Sequence, residues 1–259
     1  MLSDVQVRRF HGDGYVLVPA LFDSEETELL RQAARSDPAI AGHACERDDG
    51  EGGKSRITLW NDAGDDLFSM FSRCERVTGA MEQLLGGEVY HYHSKMMQKE
   101  PFQGGAWVWH QDYGYWYSNG CLFPYMASCF IAVDPCTREN GCLQVLKGSH
   151  HMGRVEHVRV AGQVGAEPER VAEAQKLLEQ VYVEMQPGDA LFFHCNLLHR
   201  SDQNQSPNPR WSLICCYNAA RNNPYKESGH PRYRPLHKVP DTAIKEAGLR
   251  FLAAGQFMR

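Results

Sequence analysis

Trp109-His110-Gln111-Asp112-Tyr113 is the run on which this chain's reading turns, taken with His199 and Arg210 far downstream. On an extended segment, residues i and i+2 point to one side, so a His-x-Asp pair presents an imidazole and a carboxylate together. One distant histidine, His199, would complete a set of two imidazoles and one carboxylate. That set occupies one triangular face of an octahedral ion and leaves the opposite positions open, the arrangement expected of a non-haem Fe(II) oxygenase. Arg210 follows His199 by eleven residues and would supply a fixed cation for a dicarboxylate co-substrate such as 2-oxoglutarate.

Outward from this run, the order of segments suggests a fold. Gly14-Tyr15-Val16-Leu17-Val18-Pro19 is a short β-rich stretch, and Asp23 or Ser24 caps a helix through about Ala34. Residues 42–56 are rich in glycine and charge and read as an exposed, mobile loop. A second amphipathic helix is expected from about Asp66 to Leu85. Strand-like segments then follow at 88–98, 105–110, 127–133, 142–146, 190–195 and 211–218, interrupted by a helical insertion at about 167–181. Pro187-Gly188-Asp189 is a turn that feeds an apolar strand ending in His199. Helices first and strands after predict a mostly β fold with flanking helices, a double-stranded β-helix (jelly-roll, cupin-like) barrel. With no repeats and no low-complexity linker, residues 1–259 read as one domain. Its parts are a helical N-terminal support (1–86), a jelly-roll core (87–220) and an irregular C-terminal wrap (221–259).

Composition narrows the classes. The 259 residues carry a net charge of -5 and a sequence pI near 6.2, with acids and bases interspersed, so neither a nucleic-acid nor a membrane partner is expected. No apolar run approaches the length of a spanning helix, and the first residues lack the apolar core of a signal peptide. The nine cysteines have no CxxC pair and irregular spacing, which favours reduced thiols in a cytoplasmic protein over a disulfide framework. Cys215-Cys216 read as packing residues. Nothing in the composition selects an oligomeric state.

Three runs carry a family resemblance: WHQDYGYW (109–116), NGCLQVLKGSH (Asn140 to His150) and PGDALFFHCNLLHRSDQNQSPNPRW (187–211). With the opening GYVLVPALFDSEE, they are similar in order and content to the phytanoyl-CoA dioxygenase (PhyH-like) family of Fe(II)/2-oxoglutarate-dependent oxygenases. The resemblance implies that His110, Asp112 and His199 bind Fe(2+), and that Arg210 and Ser201 grip the distal carboxylate of 2-oxoglutarate. It implies a hydroxylase that consumes O2 and releases succinate and CO2. Because Asp112 is a carboxylate, the position left open for chloride in related halogenases is filled, so hydroxylation is expected over halogenation.

Other residues compete for roles. His194 precedes His199 by five, an odd offset that on one strand would turn it away, and a histidine bonded to backbone is the plainer reading. His150 and His151 belong to a loop. In the run 90–99, alternation aims His91, His93, Lys95 and Met97 together, and His93 or Lys95 falls where the family meets the keto-acid end. An exterior polar face of the barrel would read the same way, and Gln98 lies opposite. Tyr113, Tyr115 and Trp116 either pack the barrel or shape a substrate pocket over the metal. Residues 221–238 hold Arg221, Lys226, Arg232, Arg234 and Lys238 against Glu227 alone. If that segment folds over the barrel mouth, the small-molecule substrate is anionic; otherwise it is a solvated charged tail. Two other readings keep the barrel: a metal-dependent cupin-like isomerase or lyase, and a non-catalytic metal-binding barrel. A zinc hydrolase lacks its HExxH helix here.

Overall fold

In the computed structural model, which describes residues 1–254, two antiparallel sheets share an apolar interior, and helices cover the outer side of the larger sheet. The chain opens with α1 (Asp4–Asp13), β1 (Tyr15–Val18), α2 (Ser24–Ser36), α3 (Pro38–Gly42) and the hairpin β2 (Cys45–Asp48) and β3 (Lys54–Trp60). Helices α4 (Leu67–Arg73) and α5 (Glu75–Leu85) lead into the long strand β4 (Val89–Lys99). Then come β5 (Trp107–His110), α6 (Asp112–Trp116), β6 (Met126–Ala132), β7 (Leu143–Leu146), and the hairpin β8 (His157–Val160) and β9 (Gln163–Ala166). The last elements are α7 (Pro168–Leu177), β10 (Gln180–Val183), β11 (Ala190–His194), β12 (His199–Ser201), β13 (Arg210–Ala219) and α8 (Ala243–Ala254).

The larger sheet has the order β1-β11-β6-β13-β4-β3-β2 and the smaller one β10-β7-β12-β5. Strand residues alternate between two buried faces, which is why β11 is apolar up to His194 and β13 is buried along its whole length. Phe192 and Leu213 face the helices, where Leu30, Phe68, Phe71 and Met81 pack on them. Their neighbours Leu191, Phe193 and Ile214 face inward, toward Leu143, Val145 and Val183 of the smaller sheet. Side chains of this size each contribute about 1.5–3 kcal/mol when fully buried. On the far side of the smaller sheet, α7 packs Val171 and Ala174 against Trp109 and Leu146. No helix among the described residues is long and apolar enough to cross a membrane. All nine cysteines are free, and eight of them are buried.

Several expectations are corrected. Residues 42–56 are no mobile loop: β3 pairs with β4, and the hairpin tip is pinned by the buried Asp49, which accepts from the backbone of Glu51, Gly53 and Ala106. The helix expected over 66–85 is two helices, parted at Cys74, whose backbone is extended. The insertion expected through 181 ends at Leu177, and Gln180–Val183 is a strand paired with β7. The C-terminal wrap contains α8, which packs on α2 and α4 and so is not irregular throughout; its residues 255–259 lie outside the described ones. The apolar run ending in His199 is two strands in different sheets, because the chain turns at 195–198 between β11 and β12.

Candidate active site

His110 ends β5 and His199 begins β12, and the two are directly paired across the smaller sheet. Their rings lie 4.0 Å apart between centroids. Each imidazole donates Nδ1–H to the carbonyl two residues before it, His110 to Val108 (2.8 Å) and His199 to Leu197 (2.9 Å). That bond sets the tautomer and leaves both Nε2 atoms as acceptors for a cation. Asp112 is not on the strand, as the sequence suggested, but is the first residue of α6. Gln111 between them is extended (φ -117°, ψ 137°), so the i, i+2 alignment survives although the strand has ended.

Gln111 is itself a clamp. Its side chain donates to Gly153 O and Asn196 O and accepts from Val155 N, while its backbone N–H donates to His157 Nε2. Pulled to the opposite side, it holds His110 and Asp112 toward the interior. The ligand atoms of His110, Asp112 and His199 all lie within 4.8 Å of one another, and the three residues are buried. They are the one such group among the described residues.

The electrostatics match a cation site. Burial, and then the neighbouring imidazole of His199, pushes His110 well below its usual pKa, and burial also lowers His199, so both are neutral ligands. Burial alone would raise Asp112, but the charge of Lys95 beside it brings it down to about 2. Lys95 Nζ stands 3.7 Å from Asp112 Oδ1, and Ser128 donates to the other oxygen at 3.1 Å.

A second polar group lies further along the same face. Ser201 follows His199 by two residues on β12, a separation of roughly 6–7 Å. Its hydroxyl accepts from Lys99 Nζ at 2.8 Å, and Lys99 also donates to the carbonyl of Asp202. Lys99 is paired in register with Arg210, whose guanidinium donates to Gly141 O (2.9 Å) and leaves its buried Nε without a partner. Both cations are buried, and among the described residues neither is bonded to a carboxylate. Burial, then the charge of Arg210, holds Lys99 well below the usual lysine pKa. Trp107, paired with Ser201, likewise has a buried indole N–H with no partner.

The structure therefore gathers His110, Asp112, His199 and Lys95 at one point, and Ser201 and Arg210 at another. Lys99 is the residue that sequence reasoning missed; its place at the end of an alternating polar strand face was the available signal. The alternation also misled. A bulge at Tyr92 shifts the pairing of β4 with β13, so His91 faces Tyr217 and the helices, while His93, Lys95 and Met97 face inward. His93 sits against Trp116 and His230 rather than beside Ser201. Tyr113 is a packing residue that donates to Cys121 O, and Tyr115 lies 5.7 Å from the His110 ring and donates to Val164 O. His194 accepts from Asn196 N and packs on Phe10, clear of the triad. Arg232 and Arg234 stay exposed.

A fold of this kind, with two histidines and an aspartate at one end of a sheet and a buried cationic slot beyond, defines the 2-oxoglutarate-dependent non-haem iron oxygenases. The phytanoyl-CoA dioxygenase (PhyH) family profile matches residues 10–212, and the chain belongs to that family. Ectoine dioxygenase from Stutzerimonas stutzeri is 30% identical over 83% of this chain and 76% of its own length. L-proline trans-4-hydroxylase from Streptomyces griseoviridis is 29% identical over 91% of each chain. A crystal structure of EctD from S. alaskensis with bound Fe superposes with a TM-score of 0.77 at 26% identity, covering 92% of this chain and 88% of that one. The same enzyme with 2-oxoglutarate and 5-hydroxyectoine superposes with a TM-score of 0.79 at 24% identity and the same coverage.

Proposed function

We propose that this chain hydroxylates an unactivated C–H bond of a small metabolite: substrate, O2 and 2-oxoglutarate become the alcohol, succinate and CO2. His110, Asp112 and His199 hold Fe(2+), which when bound supplies the oxygen-activating centre. The observation that carries the reading is the spacing of the triad and the two-cation slot along β12. A five-carbon keto diacid fits that gap, with its distal carboxylate between Arg210, Ser201 and Lys99 and its keto-acid head near Lys95. The unpartnered Nε of Arg210 gives the slot a donor waiting for an acceptor. An isomerase, a lyase or a metal-storage barrel has no use for two buried cations without an acid.

The relatives named for ectoine and L-proline support a small-molecule substrate rather than a nucleic acid or a membrane. In this reading the two sheets form a double-stranded β-helix and residues 1–259 a single cytoplasmic domain, with the N-terminal helices as its support. Anaerobic titration of the Fe(II)-loaded protein with 2-oxoglutarate tests it. The visible charge-transfer absorption of a chelated keto acid is expected in the wild type and is lost in His199→Ala and Arg210→Ala. Iron binding without that absorption would overturn the 2-oxoglutarate reading.

A further inference from the structure

Beyond the triad, away from Lys99 and Arg210, four rings close on one another. His93 lies 5.5 Å from Trp116 and 5.3 Å from His230, between ring centroids. Tyr92 stacks on His230 at 5.0 Å and meets Trp116 edge-on at 5.4 Å. His230 comes from the C-terminal segment, which thus reaches the interior through an imidazole rather than through Arg232 or Arg234. The Nδ1 atoms of His93 and His230 are both buried and without a partner. His93 is only 2% exposed. A buried polar atom left unbonded is costly, a cost that a bound ligand removes.

Position along β4 separates this niche from the co-substrate. Lys99 and His93 are six residues apart on the strand, roughly 20 Å, with Lys95 and the triad between them. A five-carbon acid anchored at Lys99 and Arg210 ends at the metal and does not reach His93. The expectation that His93 meets the keto-acid end therefore gives way to a second ligand. Lys95 is the cation beside the niche, and Asp112, which acts on His93, is already engaged by Lys95.

We propose that this niche of Tyr92, His93, Trp116 and His230 is the substrate site, and that it takes a small carboxylated metabolite whose carboxylate accepts hydrogen bonds from His93 and His230. The proposal rests on the 2-oxoglutarate reading above. The rings of Tyr92 and Trp116 supply the apolar wall for the rest of the molecule. Burial disfavours the charged form of both imidazoles, so each keeps one ring N–H, which in the tautomer protonated at the unpartnered Nδ1 is the donor to the carboxylate.

The test uses the full chain with Fe(II) and 2-oxoglutarate, and three probes: L-proline, L-pipecolate and L-valine, each beside its carboxamide. Tryptophan fluorescence without oxygen reads binding, and succinate formation reads turnover. At least one acid is expected to bind about tenfold or more tighter than its amide. His93→Ala and His230→Ala are expected to raise that acid's KM about tenfold while 2-oxoglutarate affinity moves less than twofold, and His230→Gln to recover part of the loss. Retained keto-acid absorption and an unchanged thermal midpoint show that the variants are folded. Equal binding of acid and amide, no binding of any acid, or unchanged KM in both variants would overturn the proposal. If the wild type fails to chelate 2-oxoglutarate, the underlying reading falls instead, so the two failures are distinguishable.

Discussion

Lys99 of β4 and Arg210 of β13 stand opposite each other in register, both buried, with Gly141 and Ser201 as their neighbours and no carboxylate between them. Two basic groups this deep destabilise the empty fold, since among the described residues neither is bonded to a carboxylate. The arrangement makes sense as a socket for an anion, and it extends the expected Arg210–Ser201 pair by one residue. Lys99→Met is therefore expected to weaken 2-oxoglutarate binding by about ten- to a hundredfold, the worth of one charge-assisted hydrogen bond. Arg210→Met should weaken it further. Anaerobic titration of the visible absorption reads both, and an unchanged affinity in Lys99→Met would remove that residue from the socket. Because a buried charge is relieved, the apo form of Lys99→Met should melt no lower than the wild type.

The proposed function rests the metal on three buried ligands, so single losses should be severe. His199→Ala is expected to abolish stoichiometric Fe(II) binding as measured by metal analysis after gel filtration. Asp112→Ala should do the same and also destabilise the fold, because Lys95 loses its carboxylate in a buried setting and Ser128 keeps only Cys216 Sγ. Full iron occupancy in either variant would place the ion elsewhere.

Gly141 tests how closely the backbone frames the socket. It has a φ of +76°, and an added Cβ would come 2.3 Å from Asp202 O and 3.1 Å from Lys99 Nζ. Its carbonyl is the acceptor for Arg210. Gly141→Ala carries a left-handed penalty of about 1–2 kcal/mol before any clash is counted. Both the thermal midpoint and 2-oxoglutarate affinity should fall. A variant with wild-type stability would show that this turn can relax.

Acid should destabilise the fold through histidines remote from the metal. Burial pushes His91 down to about 4 and His194 to about 3. In the unfolded chain both titrate near 6.5. Between those values the unfolded state takes up protons that the folded state refuses, so stability is intact above pH 6.5 and falls as pH drops toward 4. Each such histidine steepens the fall by up to about 1.4 kcal/mol per pH unit. Urea unfolding at pH 7.5, 6 and 5 measures the slope, and His91→Gln should make it shallower; an identical slope would exclude His91 as a contributor.

Much of the site was readable from local chemistry. A His-x-Asp on an extended backbone must present both groups to one side, and the family resemblance carried by the runs from WHQD to PNPRW implied His199, Ser201 and Arg210. The strands β4, β6 and β13 were legible too, as runs rich in apolar and aromatic residues bounded by turn residues. The hairpin of β2 and β3 was not. Its residues are largely polar, and it is ordered by pairing with β4 and by the hydrogen bonds to Asp49, neither of which is local.

Sequence alone determined that His110, Asp112, His199, Ser201 and Arg210 are chemically able to hold a metal and an acid, through side-chain type and the family resemblance, but it did not single out Lys99. Tertiary structure alone decided how they are divided. One bulge at Tyr92 turned His91 outward, a change of sheet after His194 separated it from His199, and pairing of β4 with β13 set Lys99 against Arg210. The C-terminal segment delivered His230 where charge counting had pointed to Arg232 and Arg234. Register, crossover and closure depend on contacts between residues tens of positions apart, and no local pattern carries them.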